Sequence, residues 1–434
     1  MTFAAAAPVS GAGTSKYRTR GRGKSTSPAL TLRRRGRTLG GPLPRAEMTP
    51  DREDTAVPLG LGLAGCGAFG LFCLEACAQL PSVRPVAAAR ARKPEARERC
   101  RKLGVDVLDS YEQLFARDDV DIVHVATPPS RHYELVTAAL RAGKHVLCEK
   151  PLAVEVGEAE AMVRLAAEAH KVLAVNFVMR YGPVVEWVRR VLETGVLGKV
   201  LAGQLLNCGS DSGLGDEHWF WDKQASGGIF VEHGVHFFDL YASWLGAGEV
   251  LDAYAEPRED GKEDRVFCTV RHESGAVMDH AHGFDQISPM DRTRHRLICE
   301  LGDVHVTGWV PSELVVDAAV DDAGAERLAA AVPEGELTVT DRFGERFGRS
   351  IMGRGRPRAV DRRVRLTAQR TGGKQRCYAD DLRALVADQV ASIRDAGHVR
   401  RVSESDGVTS LRLAQAAELA ASAPPETGRK DTPR

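Results

Sequence analysis

The stretch "GLAGCGAFG" (residues 62–70) decides how the rest of the chain is read. It lies between an apolar run, "PLGLGLAG" (58–65), and a segment with helical spacing, "AFGLFCLEACAQL" (68–80). Gly65, Gly67 and Gly70 therefore form G-x-G-x-x-G in a strand–turn–helix context, which raises a weak pattern to a specific one. Gly65 permits the tight turn, Gly67 lets backbone approach a pyrophosphate, and Gly70 lets the helix pack closely on the strand. Ala68 and Phe69 open the helix, whose N-terminal N–H groups and partial positive charge suit phosphate.

Strand and helix signals alternate outward from this turn. "RPVAAAR" (84–90), "VDIVHVAT" (120–127), "KHVLCEK" (144–150) and "KVLAVNF" (171–177) read as strands. "PEARERCRKLG" (94–104), "SRHYELVTAALRAG" (130–143) and "EVGEAEAMVRLAAEAH" (155–170) read as helices. Repeated β-α units predict a doubly wound parallel sheet, a Rossmann domain over 57–178.

Beyond 178 strand-like runs follow one another: 199–207, 249–257, 265–272, 275–284, 294–301, 304–309, 313–320, 336–341 and 363–369. Many alternate in polarity, which predicts a large open, mostly antiparallel sheet with one covered face. Two helices, 378–397 and 407–423, close a second, α+β domain placed at 179–425 for substrate binding and oligomerisation. The Gly/Arg-rich piece 343–360 has no apolar period and is expected to be a loop.

Hydrophobic residues are 43% and charged residues 27% of the 434, ordinary for a globular protein. Charge is unevenly placed: residues 1–47 carry ten Lys/Arg against Glu47 alone, so +9 there offsets −9 in the remainder. Residues 1–56 lack any apolar period and are expected to be a disordered basic tail, with Met48 as the expected initiator; 426–434 is a second tail. The twin arginines of "LRRRGRTLGG" have no apolar segment behind them, so no export signal is read. Nine scattered cysteines without C-x-x-C suit a reducing cytoplasm, no apolar run is long enough to span a membrane, and nucleic acid is not the expected partner.

A dinucleotide turn that prefers NAD places Asp or Glu about 20 residues on, at the next strand end. Here Arg90 and Arg92 stand there, and Glu95 is the first acid. Arginine pairs with a 2′-phosphate, so NADP(H) is the expected cofactor, with NAD(H) the alternative. "HVLCEKPL" (145–152) then sets Lys150 at a strand end pinned by Pro151, where side chains project into the cleft.

"GGIFVEHGVHFFDL" (227–240) is an apolar helix interrupted by Glu232, His233, His236 and Asp239. At 100° per residue Glu232, His236 and Asp239 share one face. Three readings fit: a hydrogen-bonded polar stripe, a metal site, and a proton-transfer site. Asn176 and Arg180 in "NFVMRYGP", and Trp219 and Trp221 in "DEHWFWD", are candidates for lining the same cleft.

Taken together, "GLAGCGAFG", "VATPPSRH" (125–132), "EKP" (149–151) and the 227–240 helix resemble the Gfo/Idh/MocA oxidoreductases over roughly 57–425. Gly227, Gly228, Gly234, His236 and Asp239 match that family's G-G-x-x-x-D-x-G-x-H-x-x-D pattern; Glu232 departs from it by one methylene. The resemblance implies a nicotinamide cofactor, a sugar, polyol or cyclitol substrate, no metal, and Lys150 with His236 as catalytic pair, supported by Glu232. Thr127, Pro128, His132 and Glu149 become cofactor-side candidates beside Lys150. A homodimer or homotetramer through the C-terminal sheet is expected. Two alternatives of the same fold are a redox-neutral glycoside-cleaving enzyme and a dinucleotide sensor. The presence of both Lys150 and His236 argues against the sensor.

Overall fold

The protein was analysed as a computed structural model, which describes residues 57–348 and 350–422. The tails expected at 1–56 and 426–434, Met48 included, lie outside these residues.

A parallel six-stranded sheet comes first, in the order β3-β2-β1-β4-β5-β6. Its strands are β1 (Leu59–Ala64), β2 (Val83–Ala89), β3 (Asp106–Leu108), β4 (Ile122–Val125), β5 (His145–Cys148) and β6 (Leu173–Val175). Helices α1 (Ala68–Cys77), α2 (Pro94–Lys102), α3 (Tyr111–Phe115), α4 (His132–Arg141) and α5 (Val156–Glu168) connect them. Strands β1, β4 and β5 are almost wholly buried, which is why they read as continuous apolar runs. Strand β3 and helix α3 escaped the sequence reading: three residues at a sheet edge carry no period, and α3 is marked chiefly by its Ser110/Gln113 capping box.

Helix α6 (Pro183–Glu193), also unforeseen, leads into a nine-stranded sheet in the order β14-β17-β13-β12-β11-β7-β10-β9-β8. The strands are β7 (Val200–Ser210), β8 (Gly248–Pro257), β9 (Glu263–His272), β10 (Val277–Gln286), β11 (Arg292–Cys299), β12 (Gly302–Thr307), β13 (Glu313–Val320), β14 (Glu336–Arg342) and β17 (Arg362–Gln369). Each corresponds to one of the strand-like runs. All pairs are antiparallel except β7–β10, because the β8–β9–β10 meander brings β10 back beside β7 in the same direction. Burial alternates strictly along β9 and β13, so one face is covered and the other open.

Short α7 (Lys223–Ser226) precedes a π-helical turn, Phe230–Gly234, that runs into α8 (Val235–Leu245) on the covered face. Helix α9 (Asp322–Ala331) follows β13. The segment expected to be a loop forms α10 (Gly344–Phe347) and a hairpin of β15 (Ile351–Gly353) and β16 (Arg356–Arg358). Arg354, Arg356 and Arg358 of this hairpin converge on Glu300 at 3.2, 3.3 and 3.0 Å, so charge rather than apolar spacing seats it.

Helices α11 (Lys374–Arg394) and α12 (Glu404–Ser422) reach both domains: α11 packs on α1, and α12 packs on β8 and α8 of the second domain as well as on α5 of the first. Gln389 of α11 donates to the Val146 carbonyl of β5, and Gln415 of α12 donates to the Val154 carbonyl before α5. The last two helices thus clasp the first domain, a return that a boundary at 178/179 does not convey. No helix among the described residues is long and apolar enough to cross a membrane.

Candidate active site

The glycine turn joins β1 to α1. A Cβ on Gly65 (φ +118°) would lie 2.4 Å from the Ala126 carbonyl oxygen, and one on Gly70 would lie 2.2 Å from that of Gly65. At Gly67 nothing stands within 4 Å, and Gly67 and Ala68 are exposed. The turn is therefore tight on its inner side and open on its outer side, the shape a pyrophosphate needs. Phe69 faces inward, its ring 5.7 Å from that of Tyr378 on α11.

Arg90 directly follows β2 with φ +63°, and its guanidinium sits 5.3 Å over the Tyr111 ring; Arg92 is exposed. Thr127 and Pro128 follow β4 and are half-buried, with the Thr127 hydroxyl buried and unpartnered. Two cofactor-side candidates point elsewhere. His132 is fully buried, with Nδ1 2.8 Å from the Pro151 carbonyl and Nε2 2.9 Å from that of Thr127, so it ties the two loops together. Burial pushes its pKa down, while these carbonyls oppose the shift. Glu149 also faces inward, accepting from His124 at 2.9 Å and from Asn176 at 2.7 Å. Asn176 donates in addition to the Tyr378 hydroxyl at 3.0 Å, which links β4, β5, β6 and α11 in one buried network. Cys73 approaches this network, with Cys73, His124 and Glu149 ligand atoms within 4.8 Å of one another. The glutamate oxygen there is already occupied by two donors, so the arrangement reads as a hydrogen-bonded core.

Lys150, 8% exposed, crosses from the first domain to the second. Its ammonium donates to Glu232 twice, to Oε1 at 2.7 Å and to the backbone carbonyl at 2.6 Å. An ammonium has three N–H donors, so one remains. Among the described residues, the other Glu232 oxygen, Oε2, is buried without a partner, and so are both ring nitrogens of His236. A buried polar atom left unpaired costs about 1–3 kcal/mol, and several together at a domain junction mark a place for a polar ligand. The imidazole pKa of His236 lies well below its ordinary value, first through burial and then through the charge of Lys150.

The polar stripe expected on one helical face is divided. Glu232 belongs to the π-helical turn, which has more residues per turn than an α-helix, so the 100° spacing fails between Glu232 and His236. Asp239 does not face Lys150. It accepts from Arg180 at 3.0 Å, and burial lifts its carboxyl to about 7 against the pull of that guanidinium. Arg180 also donates to the Arg401 carbonyl at 2.8 Å, so two of its donors are spent on holding α8 and the segment before α12, not on a ligand. Trp219 lies half-buried on a 3-10 turn (Trp219–Trp221), its ring 5.2 Å from His218, and Trp221 carries Arg258 over its face.

Residues the sequence reading passed over also meet here. His236 lies among Trp309, Phe177 and His233, and Tyr378 stacks on Trp309 with centroids 6.1 Å apart. Trp309 and Tyr378 are far along the chain from either motif, and no local pattern announces them.

Residues 59–177 match an oxidoreductase family with an NAD-binding Rossmann fold, GFO/IDH/MocA, and residues 185–305 match the C-terminal domain of the same family. A dTDP-3,4-didehydro-2,6-dideoxy-α-D-glucose 3-reductase of Streptomyces violaceoruber is 34% identical over 156 residues, 36% of this chain and 46% of that protein. The chain spans about half the length of the first curated relatives it matches. A levoglucosan dehydrogenase solved with NADH and levoglucosan superposes with a TM-score of 0.65 at 22% identity, covering 84% of this chain and 97% of that one. A 3-ketoreductase of Actinomadura kijaniata solved with TDP-benzene and NADP superposes with a TM-score of 0.64 at 21% identity, covering 84% and 98%. At these identities the structural likeness establishes the fold.

Proposed function

Because the chain belongs to the Gfo/Idh/MocA oxidoreductases, we propose that it is an NADP(H)-preferring dehydrogenase or reductase of a sugar, polyol or cyclitol, working at the junction of Lys150 and His236. The observation that carries this reading is the set of buried polar groups left without partners there: Glu232 Oε2 and both His236 nitrogens, beside a Lys150 ammonium with one free donor.

The nicotinamide, when bound, accepts or supplies the hydride. Everything else falls to the chain. The remaining Lys150 N–H donates to the reacting oxygen and stabilises the alkoxide charge that develops on it. His236, neutral because it is buried, takes the hydroxyl proton through an unpaired ring nitrogen in oxidation and returns it in reduction. Glu232 holds Lys150 in place through two contacts and offers Oε2 to a neighbouring substrate hydroxyl. Gly65, Gly67 and Gly70 hold the pyrophosphate, and the Thr127 hydroxyl is a further unpaired donor or acceptor on the cofactor side.

NADP(H) preference rests on Arg90 and Arg92 at the end of β2. The levoglucosan and deoxysugar names of similar proteins support a polyhydroxy, sugar-like substrate, and the pairing of the Lys150 ammonium with the Glu232 carboxylate leaves no net charge at the reacting end of the site. The open face of the nine-stranded sheet, with Leu206 and Tyr254 exposed on it and Tyr254 stacked on half-buried Phe267, supports self-association there. All nine cysteines are unpaired, which supports a cytoplasmic setting. Screening the purified protein with NADPH and NADH against sugars, cyclitols and their keto forms tests the reading. No cofactor-dependent turnover on any polyhydroxy compound would reject it.

A further inference from the structure

Among the described residues nothing hydrogen-bonds the proposed base, His236, to set its orientation: both ring nitrogens are unpartnered. In most general-base sites a carboxylate does this work, and here the nearby carboxylate, Glu232, is turned onto Lys150 instead. What touches the imidazole is aromatic. Its centroid lies 4.9 Å from Trp309 with the planes at 88°, 6.3 Å from Phe177 at 70°, and 6.4 Å from His233 at 76°. Edge-to-face contacts at these separations are directional.

Trp309 is the nearest of the three, and it is itself held firmly. It stands between β12 and β13 just after Gly308, whose φ of +101° and near approach to Val310 suit glycine alone. Its ring stacks on Tyr378 at 6.1 Å with planes 16° apart, and Tyr378 is bonded through Asn176 to Glu149, the residue before Lys150. The Lys374 ammonium lies 6.0 Å from the Trp309 ring centroid. Trp309 is 7% exposed, and its indole N–H is buried without a partner, so the side chain both walls the site and keeps one donor free.

We propose that Trp309 is the positioning residue for His236: it fixes the plane of the imidazole and keeps water from it. One indole thereby couples the base on α8 to the network that carries Lys150. Among the described residues, the charged and titratable groups around His236 are Lys150 from the turn after β5, Glu232 and His233 from the π-helical turn, and Lys374 from α11 near Trp309. None of these supplies a hydrogen bond to the ring, so packing is left to orient it.

The inference rests on the reading of His236 as the base, and the test separates the two. A base must be unprotonated to accept a proton, so oxidation rates fall as pH drops through its pKa. In the wild type that acid limb lies below the ordinary 6.5, because burial depresses the group. Trp309→Leu admits water, so the limb should move up toward 6.5 and turnover should fall by about 10²-fold, the order expected for a misplaced reacting group. Cofactor affinity, measured by fluorescence titration, should not change. Trp309→Phe keeps a ring and should keep the limb, with turnover within about fivefold of wild type. Should the leucine variant not fold, Trp309→Met, whose long unbranched side chain adapts better to an irregular gap, is read in the same way. A limb unmoved by loss of the ring, or a phenylalanine variant as impaired as the leucine one, overturns the inference. If His236→Ala itself leaves the limb in place, the reading of His236 as base is what fails.

Discussion

His124 and His132 of the six-stranded half are buried with partners: His124 on the Glu149 carboxylate, His132 between the carbonyls of Thr127 and Pro151. His280 and His282 of the nine-stranded half are equally buried, yet among the described residues neither ring nitrogen of either has a partner, while His295 beside them meets the Tyr241 hydroxyl through Nδ1. The first pair acts as fasteners, His124 from β4 to the turn after β5 and His132 between two loops, so the cofactor half is held by directed hydrogen bonds and close backbone contact, with His124 Nδ1 and the Thr127 hydroxyl left over among the described residues. The second group is simply kept neutral: burial lowers His282 to about 3 and His295 to about 4. The cofactor half is therefore organised by backbone and the substrate half by packing, and the two meet at Lys150 and His236.

The sharpest break of this comparison removes one chemical group from each half. Lys150→Met and His236→Ala should each reduce turnover by about 10²–10⁴-fold while leaving cofactor affinity nearly intact. The double variant should lose much less than the product, because groups acting on one oxygen are not additive. Steady-state rates and cofactor titration measure both, and multiplicative losses would show that the two act separately.

Backbone organisation of the cofactor half is tested at Gly70. Even a Cβ there sits 2.2 Å from the Gly65 carbonyl oxygen, so Gly70→Val should destabilise the protein by about 1–3 kcal/mol and abolish measurable cofactor binding. Thermal melts with and without NADPH would show it: the wild type gains stability on adding cofactor, the variant does not. Wild-type binding by the variant would mean that the turn is looser than its contacts suggest.

A smaller change is expected from Arg90→Asp. Losing one charged hydrogen bond to a 2′-phosphate, about 1.5 kcal/mol, should shift the NADPH-to-NADH preference roughly tenfold toward NADH. An unaltered ratio in paired titrations removes Arg90 from cofactor selection.

The smallest effect belongs to the unpartnered histidines. Their folded pKa values are depressed below the unfolded 6.5, so the unfolded chain binds more protons below that pH. Stability is full above 6.5 and is lost as pH falls from 6.5 toward 3. His280→Leu removes one such group and should lower the acid-unfolding midpoint by about half a pH unit. Circular dichroism during acid titration reads this directly, and an unmoved midpoint would place the acid weakness elsewhere.

Most of the architecture was legible from periodicity. Continuous apolar runs reported β1, β4 and β5 because parallel strands are covered on both faces, and alternating runs reported the strands of the open sheet because only one face is covered. The β15–β16 hairpin was illegible because it is seated by arginines on Glu300, a contact with no apolar signature. The route of α11 and α12 back to the first domain was illegible because Gln389 and Gln415 look like ordinary polar residues until their carbonyl partners are known.

At the site, local chemistry determined what was local. A glycine turn, a strand-end lysine and a histidine in an apolar helix are each recognisable within a dozen residues, because each owes its meaning to its own backbone. The destination of a side chain is a different matter. Glu232 turned to Lys150 and Asp239 to Arg180 because the π-helical turn rotates one relative to the other and because each carboxylate, once buried, needs the nearest cation. Trp309 reached His236 only because α8 packs on β10 and β11 and the end of β12 lies beside β11, a proximity set by the folding of one sheet and one helix around a common core. Residue identity and spacing decided which groups are present; burial, which removes water as a partner, decided which groups they meet.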